Sequence, residues 1–204
     1  MNKFVFGALA ASVMAISTST MANFVAGKDY QVLATPVKTD HPNKVEVREF
    51  FWYGCGHCFA LEPHMQKWIR SMPKGVYFVR TPAAMNPVWE SNARGYYVTE
   101  HLQVRRKVHL PLFHEIHVNG KQIFDQKSQA KFYAAYGIPE AKFNSLFESF
   151  PISSKIAQAK KLAMKYQLTG VPAVTVNGKY VVQGNDAKVT AVVTYLVEKE
   201  LKAK

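Results

Sequence analysis

The 204-residue chain is 48% hydrophobic and carries 26 Lys and Arg against 14 Asp and Glu, a formal net charge of +12. Two cysteines are too few for a small disulfide-stapled scaffold, and the length suffices for one large domain or a domain carrying an insertion. The basic residues are scattered, with Arg105, Arg106 and Lys107 in one stretch and Lys155, Lys160, Lys161 and Lys165 in another, without the aromatic interleaving of a nucleic-acid motif.

The N-terminus has the layout of a secretory signal peptide: Lys3, an apolar run from Phe4 to about Ile16, then small and hydroxylated residues up to Ala22. The run is shorter than the about 18 apolar residues of a membrane span. Cleavage is expected after Ala22, which delivers the mature chain to a compartment that permits disulfides. An exported chain rarely meets nucleic acid, so no nucleic-acid partner is expected.

Val45 to Phe51 (VEVREFF) alternates apolar and polar residues and then turns apolar, as a strand entering a core does. Both cysteines follow at once, as Cys55-Gly56-His57-Cys58. A bridge across so short a loop removes little entropy from the unfolded chain, which disfavours a structural staple. An exchangeable disulfide and half of a thiolate metal site stay open. A helix is expected from Cys55, with Phe59, Met65, Trp68 and Ile69 on one face, a kink at Pro63 and a stop at Pro73 and Gly75. Val76 to Arg80 reads as a second strand, parallel to the first across a βαβ unit.

From Pro87 to Tyr166 the patterns are helical: after Pro87, around Pro111 to Val118, near Ser128 to Tyr136, after Pro139, and after Ser153 or Ser154. Ala173 to Val176 and Lys179 to Val182 flank Asn177-Gly178, a hairpin signal. Asp186 is placed to cap a last helix with Val189, Val192, Val193, Leu196 and Val197 at helical spacing.

These motifs in this order resemble the DsbA family of periplasmic thiol:disulfide oxidoreductases. The resemblance rests on Glu49-Phe50-Phe51, Cys55-Gly56-His57-Cys58, Pro111-Leu112-Phe113, Gly170-Val171-Pro172-Ala173 and Val176-Asn177-Gly178-Lys179-Tyr180, and runs from about Gly27 to the last helix. It implies an α/β protein of thioredoxin fold, a central mixed sheet flanked by helices, with an inserted all-helical domain. The expected division is a signal peptide at 1–22, the thioredoxin-like domain at 23–86 and 154–204, and the insertion at 87–153.

A cysteine at a helix N-terminus sees the positive end of the macrodipole and free N–H groups, both of which favour thiolate. His57 adds a donor beside it. Cys55 is therefore expected to be the low-pKa, attacked sulfur and Cys58 the more buried resolving partner, and a disulfide with so stable a reduced form is an oxidant. Glu49, a carboxylate in a core-bound strand, needs a partner or a role. By resemblance it lies beneath the buried cysteine and tunes proton transfer. By resemblance also, Pro172 is cis and faces the cysteines, and Val171 offers its backbone to clients as an added strand. No cofactor beyond the redox-active Cys55–Cys58 disulfide is implied. The implied partners are unfolded, newly translocated cysteine-containing proteins and a DsbB-like membrane reoxidase linked to quinone. Of Phe51, Trp52, Tyr53 and Phe59, at least one is expected to line an apolar groove.

The family commonly has proline where this chain has Gly56. Cys-Gly-His-Cys is the motif of protein disulfide isomerases, at about −180 mV against about −120 mV for a strongly oxidising DsbA. A somewhat milder oxidant is expected. The alternatives are an isomerase or reductase, for which no dimerisation segment is visible before residue 45, a metal-binding protein lacking a second half-site, and a non-catalytic binding module. A monomer is expected.

Overall fold

The computed structural model describes residues 23–203, and the expected signal peptide lies outside them. Its elements are β1 (Gln31–Val32), β2 (Val45–Phe51), α1 (Gly56–Arg70), β3 (Val76–Pro82), α2 (Pro87–His101), α3 (Arg105–His117), α4 (Gln126–Ala134), α5 (Glu140–Phe147), α6 (Phe150–Lys165), β4 (Ala173–Val176), β5 (Tyr180–Gln183) and α7 (Ala187–Lys202). One sheet is ordered β1-β5-β4-β2-β3. β2 and β3 are parallel, from Val45 opposite Val76 to Phe51 opposite Pro82, while β2–β4, β4–β5 and β1–β5 are antiparallel. This is the mixed sheet of the thioredoxin fold, with the helices α2 to α6 between β3 and β4.

Every residue of β2 is buried, because helices cover the sheet on both faces. Val45 and Val47 pack with Leu61, Met65 and Trp68 of α1 and Val192, Val193 and Leu196 of α7. Phe50, on the opposite face, meets Ala163 and Tyr166 at the end of α6. The polar positions of β2 are thus not a solvent face, as the alternation alone suggests. Arg48 donates to Glu46 at 3.0 Å, Asp40 at 2.5 Å and Thr81 at 2.7 Å, so these groups enter the interior already paired. At the end of β2 and just beyond it, Phe51, Tyr53 and Cys58 share one core with Ala93, Tyr96, Leu112, Phe113 and Phe143 of the helical segment.

Several expectations shift. α1 runs unbroken through Pro63, although the ring removes one helical rung. α3 starts at Arg105, six residues ahead of Pro111, and carries that proline in its interior. α6 starts at Phe150 rather than after Ser153 or Ser154, since Pro151 takes the first turn that the serines were expected to open. β5 begins at Tyr180, one residue late, because Lys179 closes the turn with its N–H on Val176 O at 3.0 Å. β1 is two residues long, too short to leave a periodic signal. The caps at Asn86 and Asp186 hold the starts of α2 and α7.

Asn177 and Gly178 both take positive φ, 49° and 69°, as a tight hairpin demands. Gly178 also lies against Val37, whose N–H it accepts at 2.8 Å and whose carbonyl oxygen a Cβ would strike. Gly178→Ala is therefore expected to destabilise the protein by at least about 1–2 kcal/mol, read as a lower urea midpoint at unchanged slope.

Candidate active site

β2 delivers the chain to a turn in which Cys55 N–H donates to Trp52 O at 3.1 Å, and α1 begins at the next residue. Cys55 is the N-cap of α1, with extended backbone (φ −88°, ψ 113°). Its sulfur occupies the place of a capping oxygen and accepts the Cys58 N–H at 3.4 Å. Both cysteines are free thiols, Cys55 half-buried and Cys58 fully buried. The Cys58 thiol and the backbone N–H groups of Cys58 and His57 lower the Cys55 pKa to about 6, against the opposing effect of burial, with a smaller contribution from His57 charge. Burial, then Cys55, pushes Cys58 far up, and the Glu49 charge adds to this. One sulfur is made an anion and the other is kept a thiol.

The second strand-and-turn element of the site is the Val171–Pro172 peptide, which is cis. The Val171 carbonyl lies 3.5 Å from Cys55 Sγ, so this loop and the start of α1 face one another across the reactive sulfur. A shallow pocket of about 310 Å³ beside it is lined by His57, Gly170, Val171, Pro172 and Asn185. His57 is exposed, and its Nδ1 is 2.9 Å from Asn185 Nδ2 in the loop after β5. Gly56 is the first residue of α1, is exposed, and has open space where a Cβ would stand.

Glu49 is 1% exposed and stands opposite Arg80 in the β2–β3 register. Arg80 Nε donates to it at 2.7 Å, while Arg80 Nη2 donates to both oxygens of Glu62 in α1 at 2.9 and 3.2 Å. Burial raises Glu49 to about 7, Arg80 opposing and Glu62 reinforcing the shift. Burial also works to raise Glu62, but His109, Arg80 and Gln66 overcome it and hold that carboxyl low. His109 of α3 is itself buried, which together with the Arg80 charge depresses it to about 4 and keeps it neutral.

Sequence reasoning located Cys55, Gly56, His57, Cys58, Glu49, Val171 and Pro172, and the fold brings all of them to the junction of β2, α1 and the 171–172 loop. It missed Arg80, Glu62, His109 and Asn185. Arg80 and Glu62 carried a signal that was not used, since each is a charge inside an element otherwise bound for the core. His109 and Asn185 had none, for only the tertiary structure brings them there.

Of the four aromatic residues, Phe51 and Tyr53 are core, and Trp52 stacks on Trp89 with ring centroids 4.8 Å apart. Phe59 lines an open, largely apolar groove of about 990 Å³ with Pro63, Leu110 and Pro111, between α1 and α3. Among the described residues no cluster of three or more His, Cys, Asp or Glu has the geometry of a metal site.

Residues 73–192 match the family model of the DSBA-like thioredoxin domain. The chain is 40% identical to the thiol:disulfide interchange protein DsbA of Pseudomonas aeruginosa, over 87% of this chain and 86% of that protein. It is 35% identical to the protein of the same name from Azotobacter vinelandii over the full length of both. Its structure is similar to the crystal structure of Pseudomonas aeruginosa DsbA, with a TM-score of 0.83 at 40% identity, covering 88% of this chain and 96% of that one. For the oxidoreductase DsbA from Xylella fastidiosa the TM-score is 0.81 at 32% identity, covering 87% and 98%.

The opposed environments of the two sulfurs have a direct signature. Ultraviolet thiolate absorbance of the reduced protein should titrate with a midpoint near 6 for Cys55 and show no second thiolate in the range where an ordinary cysteine ionises, about 8.5. The folded pKa lies well below that of an ordinary cysteine, so the reduced protein should gain stability over the disulfide form as pH rises from about 6 toward about 8.5. That gain should be lost again as pH falls through 6, as paired melting curves of the two redox forms would show.

Proposed function

Because the chain belongs to the DsbA family and is a thiol:disulfide oxidoreductase with Cys55 and Cys58 at its Cys-x-x-Cys site, we propose that it works as a disulfide donor to unfolded proteins. The observation that carries this reading is the asymmetry of the pair: Cys55 is half-exposed and held as thiolate by the start of α1, and Cys58 is buried and held as thiol. A client thiolate attacks Cys55 Sγ of the disulfide, the Cys55–Cys58 bond breaks, and Cys58 leaves and takes up a proton. A second client thiolate attacks the client's own sulfur in the mixed disulfide and expels Cys55, a good leaving group because its thiolate is stable. The client gains a disulfide and this protein is left with two reduced sulfurs.

In this reading Glu49 supplies the proton to Cys58 and recovers it on reoxidation, and Arg80 stabilises the carboxylate in between. Val171 and the cis Pro172 hold the client backbone next to Cys55, with His57 at the rim of the same pocket, and Gly56 sets how firmly α1 begins. The groove at Phe59, Pro63 and Leu110 suits apolar client side chains. The same reading places the protein in the periplasm as a monomer, after removal of residues 1–22, and assigns reoxidation to a DsbB-like membrane protein linked to quinone. It also treats 23–86 with 154–204 as the redox domain and 87–153 as its helical insertion. It needs no bound cofactor, since the disulfide carries the electrons.

The direct test is trapping. Cys58→Ser should accumulate a mixed disulfide between Cys55 and a cysteine-containing peptide, whereas Cys55→Ser should form none, as mass spectrometry of the non-reduced complex would show. The reverse pattern would overturn the assignment of the attacked sulfur.

Gly56 governs the strength of the oxidant. Proline fits the first position of a helix, where its missing N–H costs no hydrogen bond, and the open space at Gly56 accepts it. Gly56→Pro should raise the potential by some tens of millivolts toward the about −120 mV of a strong oxidant, from nearer about −180 mV, as equilibration with glutathione would measure. An unchanged potential would mean that the motif glycine is not what moderates this protein.

A further inference from the structure

The mechanism above does not use the buried imidazole of His109. His109 sits in α3 with its ring 3% exposed, and each of its nitrogens addresses a different neighbour. Nδ1 is 2.8 Å from the hydroxyl of Tyr53, in the turn before Cys55. Nε2 is 3.5 Å from Glu62 Oε1 and makes no shorter polar contact among the described residues. A neutral imidazole carries one proton, and the neighbours decide where it sits. An ionised Glu62 only accepts, so the proton belongs on Nε2, and Tyr53 then donates its hydroxyl to Nδ1. The direction of the chain is Tyr53 to His109 to Glu62.

Glu62 and Glu49 meet the same guanidinium. Two buried carboxylates around one Arg80 leave an excess negative charge that a proton would relieve. The donors are distributed unequally. Glu62 receives Arg80 Nη2 at both oxygens and Gln66 Nε2 at 2.7 Å, with His109 Nε2 standing 3.5 Å from it, while among the described residues Glu49 receives Arg80 Nε alone. We propose that His109, oriented by Tyr53, is a positioning residue that holds Glu62 ionised and so assigns the cluster's exchangeable proton to Glu49, the carboxyl that serves Cys58. This inference rests on the role given to Glu49 under the proposed function.

The step balances without a further reactant. When Cys58 leaves the disulfide as thiolate, the Glu49 O–H bond breaks and a Cys58 S–H bond forms, and Arg80 then faces two carboxylates until Cys58 gives the proton back. On reoxidation the transfer runs backwards. Were Glu62 the protonated partner, the proton would sit on the carboxyl whose other neighbours are Arg80, Gln66 and His109, and Glu49, the carboxyl whose charge acts on Cys58, would have none to give. The other groups around His109 leave this assignment standing. Arg105 of α3 and Arg80 of β3 both oppose an imidazolium there, and Tyr96 of α2 meets the ring edge-on with centroids 6.3 Å apart. Tyr53 and Tyr96 are themselves raised by burial and stay neutral, as does Tyr133 of α4, which adds to the Tyr53 shift.

The test is an infrared titration of the buried carboxylic acid band in the disulfide form of the full protein, where neither cysteine ionises. The wild-type band should vanish with a midpoint near 7, and Glu49→Gln should abolish it. His109→Leu should lower the Glu49 midpoint by at least about half a unit, a threefold loss of proton affinity, and bring up a second acid band from Glu62. In a Glu62→Gln background the same His109→Leu change should leave the midpoint unmoved, because the competitor is gone. Tyr53→Phe, which deletes one hydroxyl, should shift the midpoint in the same direction by less, and serves should His109→Leu fail to fold. An equal shift in both backgrounds, or no shift with either His109→Leu or Tyr53→Phe, would overturn the proposal. A band that survives Glu49→Gln would instead overturn the role of Glu49 itself.

Discussion

A sulfur standing where a helix usually begins with an oxygen is the contact on which the rest of this molecule turns. The start of a helix has N–H groups without partners, and ordinarily Ser, Thr, Asp or Asn satisfies one of them. Here Cys55 does so. The arrangement stabilises α1 only as well as sulfur can accept, and sulfur accepts better as thiolate than as thiol or disulfide. Helix and redox state are therefore linked: what holds the first turn of α1 together also favours reduction. The surrounding structure presents that turn, with β2 buried on both faces, α1 pinned by Leu61, Met65 and Trp68, and the 171–172 loop set opposite.

Beneath this turn the protein maintains a charged interior that adds little to stability for its own sake. Two carboxylates and a guanidinium in place of apolar side chains are a cost that their mutual pairing offsets only in part. The pH dependence shows the same tension. A carboxyl raised toward 7, like Glu49, loses stability for the fold as pH rises from 4.5 to 7. A histidine depressed from 6.5 to about 4, like His109, gains it over much of the same window. The opposite slopes largely cancel between 4.5 and 6.5, so the pair adds little net pH dependence to folding there.

The sequence made the scaffold legible where local physics decides. The β2, α1 and β3 unit, the Asn177-Gly178 hairpin, the Asp186 cap and the apolar face of α7 follow from periodicity and turn chemistry. Of the site, Cys55 and Cys58 are visible as a spacing, whereas Pro172 and Val171 needed a family resemblance because an X-Pro before a strand has no local mark of its geometry. The start of α3 was hidden because Pro111 looks like a beginning and proves to be an interior residue. The buried ion cluster was hidden for a more general reason. Arg80, Glu62 and His109 come from a strand and two helices, and although Arg80 and Glu62 stand out as charges in core-bound elements, the sequence does not say which charge pairs with which.

The stacked pair of Trp52 and Trp89 ties the two parts of the chain mechanically. Trp89 lies in the first turn of α2, where the helical segment leaves the sheet, and its ring is 15° from parallel with that of Trp52. Trp52 is further fixed by Asn92 of the same helix, which accepts its indole N–H at 2.9 Å. Its backbone carbonyl in turn receives the N–H of Cys55. The lever arm between the inserted helices and the reactive sulfur is thus one rigid indole and one peptide hydrogen bond long. The start of α2 and the turn that presents Cys55 are in this way held to each other by the Trp52 side chain. The insertion is in this sense a handle on the sulfur as well as a cover beside it.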